Sequence, residues 1–298
     1  MQRRSTVLGI VLLLVLFASG AVLTLRLLLG GRVPGLTPRR VAVLPIVGII
    51  DSETKFVRDL EAFRGDPTVR AFVLEIQSPG GAVGASQAIH ATLRRLREED
   101  DRPLVAWIGD IGASGGYYVA LPADSIFVLP GSITGSIGVI MQFPNAEELL
   151  RKVGLEFEVV KSGALKDIGS PTRELTDEER RVLQRLVDDV WEQFVQAVAE
   201  GRDLDRETVV SIADGRVFSG EAAVGLGLAD GIGTLQDAVD AAGRMSGLGE
   251  RPRVVRPVER RVGLRDLIGG VEESRLATWI RSVLPGAGAT PRLRYEWQ

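Results

Sequence analysis

Short apolar runs alternate with helix-like patterns through most of the chain, and this alternation limits the possible folds more than any other feature. Five runs have the length and apolar character of β-strands: residues 41–47, 71–76, 104–108, 125–129 and 155–160. Four segments carry apolar residues at helical spacing: residues 53–64, 85–98, 146–153 and 177–200. Strands that alternate with helices form mostly parallel sheets. We therefore predict an α/β domain over residues 41–247.

The N-terminus carries a candidate membrane anchor over residues 1–29. Residues 5–25 contain no charged side chain, and as a helix they would be about 31 Å long, enough to cross the hydrocarbon core of a bilayer. Arg3 and Arg4 precede this segment, so the N-terminus is expected in the cytoplasm. We predict a single-pass protein of the cell membrane, with its globular domain on the extracytoplasmic side.

Two other interpretations of the N-terminal segment stay open. Its small residues Ala18, Ser19 and Gly20 resemble a cleavage site, so the segment could be a signal peptide that is removed. It could also be a buried core helix, although no polar face interrupts its apolar run. Four arginines after the run oppose the predicted orientation: Arg26, Arg32, Arg39 and Arg40.

Composition defines the remaining segments and excludes several functions. Residues 30–40, rich in Gly, Pro and Arg, are predicted to be a linker, and residues 248–298 an amphipathic C-terminal tail. A net charge of −3 gives no sign of a nucleic-acid partner. The chain has no cysteine, hence no disulfide and no thiolate metal site. We see no phosphate-binding lysine or metal-ligand spacing, and expect neither a cofactor nor a metal.

Ser114 is the strongest candidate for a nucleophile. It lies between glycines in the sequence Gly-Ala-Ser-Gly-Gly, directly after an apolar run. A serine at such a strand-to-helix turn is typical of an exposed nucleophile. The alternative is that its side chain only caps the following helix.

A nucleophilic serine needs a base, and this chain offers few. The only histidine, His90, lies upstream inside a predicted helix, whereas a Ser-His-Asp triad at such a turn has its histidine downstream of the serine. Only four lysines accompany the many arginines, and Lys161 and Lys166 share one glycine-containing segment. Burial can lower the pKa of a lysine enough for its neutral amine to act as a base, whereas an arginine stays protonated. Spacing alone leaves open which lysine acts, and two solvated surface lysines are the alternative.

Other small residues could complete such a site. The turn Ser78-Pro79-Gly80-Gly81 follows a strand and could supply a backbone N–H to an oxyanion hole, as could Gly115 at the start of the next helix. Ser136, in a hydroxyl-rich loop, could orient the lysine ammonium. The simpler interpretation of Ser78-Pro79-Gly80-Gly81 is that it forms only a tight turn.

Four motifs occur in an order that carries a family resemblance. They are Ser78-Pro79-Gly80-Gly81, Ala113-Ser114-Gly115-Gly116-Tyr117-Tyr118, Thr134-Gly135-Ser136-Ile137-Gly138-Val139 and Lys161-Ser162-Gly163-x-x-Lys166-Asp167. Over residues 41–245 the chain resembles the short members of the bacterial signal peptide peptidase A family, membrane serine proteases of the Clp-protease/crotonase-like fold. Gln77 departs from this pattern, because the family often has Asn there.

The resemblance implies a role for each candidate residue. Ser114 would be the nucleophile, Lys166 the general base, Ser136 the residue that positions the lysine, and Gly81 an oxyanion donor. It also implies a homo-oligomeric ring in which neighbouring subunits share each site, with membrane-released peptides such as cleaved signal peptides as substrates. Two alternatives are a crotonase-like acyl-CoA enzyme and a catalytically silent membrane scaffold.

Overall fold

The computed structural model describes residues 13–17, 19–21, 24 and 38–258, together with the backbone of residues 294–296. The described residues of the N-terminal segment are helical, while most of the predicted anchor and most of the predicted C-terminal tail lie outside the described residues. No helix within the described ranges is long and apolar enough to span a bilayer.

The main sheet has eight strands, and the prediction of a mostly parallel α/β domain is confirmed. Its central path follows the order β7-β6-β4-β2-β1-β9, with β5 beside β4 and β8 beside β5. Every pairing in it is parallel except that of β6 with β7. The strands are Arg40–Val47 (β1), Val69–Ser78 (β2), Leu104–Ala113 (β4), Ser125–Val128 (β5), Ile133–Gly135 (β6), Val217–Ser219 (β7), Gly231–Ile232 (β8) and Arg253–Val255 (β9).

A second, two-stranded sheet lies beside the first and joins distant parts of the chain. Strand β3, Gly80–Ala82, pairs antiparallel with β10, Arg294–Glu296. The helices are Thr54–Arg64 (α1), Val83–Glu99 (α2), Gly115–Tyr118 (α3), Glu147–Lys152 (α4), Asp177–Arg202 (α5), Arg206–Ile212 (α6), Gly220–Gly225 (α7) and Leu235–Met245 (α8).

Apolar layers cover both faces of the central strands. Alternate side chains of β2, such as Phe72 and Leu74, belong to a large core that also includes Phe194 of α5. The side chains between them, such as Val73, pack in a smaller core with Val239 of α8. Burial on both faces explains why these strands are nearly continuous apolar runs, as parallel strands usually are.

The prediction of a strand over residues 155–160 is wrong. The structure gives this stretch no strand, and its apolar side chains face solvent, with Phe157 60% and Val160 97% exposed. Within the part of the chain that the structure describes, these apolar side chains are therefore not buried. The stretch belongs to a segment of residues 141–175, called the arm below, in which α4 is the only helix and no strand forms.

The long helix α5 begins where the sequence predicts. Thr176 accepts a hydrogen bond from the backbone N–H of Glu179, whose carboxylate accepts one from the N–H of Thr176. This capping box satisfies N–H groups that the first turn of a helix leaves unpaired. Helix α5 therefore starts at a fixed point, directly after the arm.

Candidate active site

Ser114 lies where β4 ends and α3 begins. Its backbone adopts φ 53° and ψ −118°, a conformation that residues other than glycine rarely hold. The surrounding hydrogen bonds enforce it, since the N–H of Ser114 donates to the carbonyl of Gly135 at 2.8 Å, and its carbonyl accepts from the N–H of Tyr118. Its side chain makes no capping hydrogen bond. This geometry is that of a nucleophile elbow rather than of an ordinary helix cap.

The Ser78–Gly81 turn packs directly against the turn that contains Ser114. Ser78 pairs with Gly112 across the sheet, and a Cβ added at Gly116 would lie 2.4 Å from the carbonyl oxygen of Ser78. Only glycine permits this approach. Gly115 is the first residue of α3, so its N–H has no carbonyl partner within the helix. The two predicted oxyanion donors, Gly81 in β3 and Gly115 at the start of α3, thus lie on neighbouring segments.

Ser136 follows β6, the strand beside β4. Because Ala113 pairs with Gly135, Ser114 and Ser136 are the next residues along two neighbouring strands. Ser136 is buried and also has positive φ, 50°, with its N–H donating to the carbonyl of Arg216 at 2.9 Å. The structure therefore brings three of the predicted site segments together: the Gly81 turn, Ser114 with Gly115, and Ser136.

An open cleft of about 630 Å³ lies against Ser136. Its walls include Val139, Val187 and the indole of Trp191, together with the carboxylates of Asp188 and Asp214. A mainly apolar cleft with a few polar groups beside a reactive residue is the usual form of a binding site. Helix α5 therefore contributes Val187 and Trp191 to the cleft and Val190 and Phe194 to the core.

Lys166 does not join this cluster within one protomer. It lies on the arm with its side chain exposed, and among the described residues its ammonium has no hydrogen-bond or ion-pair partner. Ser114, by contrast, is only 1% exposed. No hydrogen bond connects the two residues in the described chain.

Lys161 is engaged in a different way. Its ammonium donates to the carboxylate of Asp167 and to the carbonyl of Ala164. Hydrogen bonds from Arg173 and then Lys161 hold the pKa of Asp167 well below its usual range. The Asp167 carboxylate therefore points to Lys161 and Arg173.

Arg173 is a residue that sequence reasoning missed. Its guanidinium contacts Asp167 on the arm and forms a paired hydrogen bond with Glu179 at the start of α5. Glu179 is buried, and the hydrogen bonds from Arg173 and from the Thr176 backbone lower its pKa to about 2. Arg173 thereby fastens the Lys166 segment to a rigid helix. In the sequence, the one feature that points to this Arg173 contact is Glu179, the glutamate of the capping box.

His90 lies in helix α2, as predicted, and is buried. It is 8% exposed, and its ring centroid lies 4.6 Å from that of Tyr118. Burial, with a smaller contribution from Arg94, lowers its pKa to about 4, while Glu200 opposes this weakly. No hydrogen bond joins His90 to Ser114 in the described part of the chain. An enclosed imidazole that makes no hydrogen bond to Ser114 is not placed to act as its base.

The lowered pKa of His90 predicts a specific loss of stability in acid. Its folded-state pKa lies below the unfolded value of about 6.5, so the unfolded chain binds a proton that the folded chain refuses. Above pH 6.5 the His90 imidazole does not change the free energy of unfolding. As the pH falls to 4, it lowers the free energy of unfolding by about 3 kcal/mol. His90→Phe keeps a ring against Tyr118 but cannot titrate. Urea unfolding should show a shallower acid decline for this variant; equal declines would contradict the assignment.

Comparison with known proteins identifies the family. Residues 97–248 match the sequence profile of peptidase family S49. A Synechocystis protein provisionally named a protease is 44% identical over 214 residues, which cover 71% of this chain and 76% of that protein. The chain belongs to peptidase family S49. The resemblance to the signal peptide peptidase A family is thereby confirmed, and this S49 peptidase is a protease of the serine type.

Two further relatives show how far the similarity extends. An Enterococcus faecium protein provisionally named signal peptide peptidase SppA is 39% identical over 186 residues, 62% of this chain and 54% of that protein. Protease 4 of Salmonella typhi is 36% identical over 198 residues, 66% of this chain and 31% of the larger protein. This S49 peptidase therefore spans only part of the length of these two relatives.

Proposed function

We propose that the chain is a membrane-anchored serine endopeptidase with a Ser114–Lys166 dyad and a Clp-protease-like fold. The observation that carries the proposal is the strained backbone of Ser114, at a turn that packs against the Ser78 end of β2, in a chain whose single histidine is enclosed in the core. Strain of this kind persists where the surrounding structure fixes a functional conformation.

The chemistry follows from the position of each group. The Ser114 hydroxyl attacks a peptide carbonyl while a neutral Lys166 amine accepts its proton, and the N–H groups of Gly81 and Gly115 stabilise the oxyanion. Ser136 orients the lysine. The lysine ammonium then protonates the leaving amine, and water attacks the acyl-enzyme with the lysine again accepting a proton. No metal or cofactor takes part.

The base comes from a neighbouring subunit. Two observations support this: among the described residues the exposed Lys166 has no hydrogen-bond or ion-pair partner, and the arm that carries it presents apolar side chains to solvent. Leu155, Phe157 and Val159 are more than half exposed. An apolar segment that the described residues of its own protomer leave exposed is suited to pack on a second copy. Head-to-tail packing of this kind forms a ring when the rotation from one subunit to the next closes.

The substrates are peptides that remain in or near the membrane after cleavage of signal peptides. The uncharged segment of residues 5–25 would hold the enzyme in the same bilayer, with the catalytic domain on the extracytoplasmic side. The provisional name of the Enterococcus faecium relative is consistent with this substrate class. The apolar wall of the cleft near Ser136 fits apolar side chains of such peptides.

A fluorophosphonate probe tests the proposal directly. This reagent forms a covalent bond only with activated serine hydroxyls, so the intact protein should carry one label, on the peptide that contains Ser114. The label should be absent from Ser114→Ala and from Lys166→Ala. An unlabelled native protein would contradict the proposal and favour a silent scaffold or an acyl-CoA enzyme of similar fold.

A further inference from the structure

Lys166 lies in a run of tight turns within the arm. The N–H groups of Lys166, Ile168 and Ser170 each donate to the carbonyl three residues earlier, at distances between 3.0 and 3.2 Å. Turns of this kind fix the local shape of the chain but do not attach it to a helix or a strand. Among the described residues, the hydrogen bonds of residues 161–170 all stay within the arm. The position of Lys166 therefore depends on what holds the arm.

The side chain of Arg173 connects these turns to helix α5. Its two terminal nitrogens donate to the two carboxylate oxygens of Glu179, at 2.8 and 2.5 Å. Its Nε donates at 3.1 Å to the carboxylate of Asp167, the residue next to Lys166, and one terminal nitrogen lies 2.9 Å from the same carboxylate. A planar guanidinium can pair with two carboxylates at once, whereas the ammonium of a lysine is a point charge.

The end of this connection on helix α5 is firmly held. Glu179 is 1% exposed, and its carboxylate also accepts from the N–H of Thr176 at 2.8 Å in the capping box. Farther along the same helix, Phe194 and Val195 belong to the large core. Arg173 thus ties the turns around Lys166 to an element that the core fixes in place.

We propose that Arg173 is a positioning residue for the Lys166 base, on which it acts through Asp167. This inference rests on the proposed function for the role of Lys166. A base must lie within hydrogen-bond reach of the proton that it accepts, and a displacement of about 1 Å can lower a rate about a hundredfold. Because Lys166 serves a neighbouring subunit, Arg173 of one protomer supports hydrolysis at the Ser114 of the next.

Arg173→Lys separates the connection from the charge. The ammonium still neutralises the buried Glu179, so the fold should be kept, but it cannot pair with both carboxylates in the same geometry. We expect kcat for a fluorogenic peptide to fall about ten- to a hundredfold, with KM and melting temperature close to those of the native chain.

Arg206→Lys is the matched control for Arg173→Lys. Arg206 also forms two hydrogen bonds with a glutamate of α5, Glu192, but it lies outside the arm. Its replacement should leave kcat at the native value. Equal kcat values for the two lysine variants would overturn the positioning role of Arg173.

Hydrogen exchange supplies a readout that does not depend on activity. Peptides from residues 163–170 should exchange faster in Arg173→Lys than in the native chain, and should exchange at the native rate in Arg206→Lys. Unchanged exchange of this segment in Arg173→Lys would overturn the proposal. If exchange responds as expected but the native chain hydrolyses no peptide, the contact stands, the proposed protease function fails, and the positioning role fails with it.

Subunit mixing assigns the effect to one of two chains. In a mixture of Ser114→Ala and Lys166→Ala protomers, only the Ser114→Ala chain supplies the base. Arg173→Lys in that chain should lower the recovered rate about ten- to a hundredfold. The same substitution in the Lys166→Ala chain, which has no base to position, should leave the recovered rate unchanged. Equal losses in both placements would show general damage to the protomer and would overturn the proposal.

Discussion

Ser114→Ala is expected to lower peptide hydrolysis by about three to six orders of magnitude, the range observed when one member of a catalytic unit is removed. The methyl group fills the space of the side chain, but no nucleophile remains to form an acyl-enzyme. The strained backbone of residue 114 is retained, because hydrogen bonds to Gly135 and Tyr118 hold it. Initial rates and thermal unfolding measured on the same preparations would distinguish lost chemistry from lost structure.

Ser86→Ala is the matched control for Ser114→Ala. Ser86 is fully buried, and its Oγ is the one buried side-chain polar atom in the described chain that lacks a hydrogen-bond partner. Removal of an unpaired buried hydroxyl leaves no group unsatisfied, so stability and activity should be preserved. Comparable loss of activity in both variants would show that burial, rather than nucleophilicity, explains the effect at Ser114.

Lys166→Arg is expected to be as inactive as Ser114→Ala although it keeps the positive charge. A guanidinium cannot accept the serine proton at any workable pH, whereas a neutral amine can. The exposed position of Lys166 gives the larger side chain room, so the fold should be unaffected. Peptide hydrolysis by Lys166→Arg within tenfold of the native rate would contradict the role of this residue as the base.

Lys161→Arg provides the matched comparison five residues away. Lys161 serves as an ion-pair partner of Asp167, and arginine can keep that pair. This variant should therefore retain activity within a few-fold of the native protein. If Lys161→Arg is inactive and Lys166→Arg is active, Lys161 rather than Lys166 is the base, although its ammonium pairs with Asp167 in the structure.

The central strands could be predicted because burial on both faces leaves a nearly continuous apolar signature. The end of β4 is harder to predict, because Gly109 and Asp110 interrupt the apolar run. The strand nevertheless continues to Ala113, so Ser114 is the first residue after it. The apolar composition of residues 155–160 is typical of a buried strand, but in the structure those side chains are exposed and no strand forms. An apolar pattern alone does not distinguish burial within a protomer from burial against another.

The site was predictable in its parts but not in its assembly. Glycines around Ser114 and Gly81 reveal their turns because close backbone approach excludes larger residues. The pairing of Tyr295 with Gly81 has no local signature, because sheet partners far apart in sequence are selected by the whole fold. The distance between Ser114 and Lys166 in an assembly cannot be obtained from one chain at all. The boundaries of the linker and tail stay predictions.

Subunit mixing tests the shared dyad most directly. Ser114→Ala protomers supply Lys166, and Lys166→Ala protomers supply Ser114, so neither assembly is active alone. After exchange in an equimolar mixture, a random ring places the two intact residues together at about a quarter of its sites. We therefore predict that about a quarter of the native hydrolysis rate returns. Mixed rings whose subunits have demonstrably exchanged, yet whose rate stays at that of the inactive parents, would contradict the account.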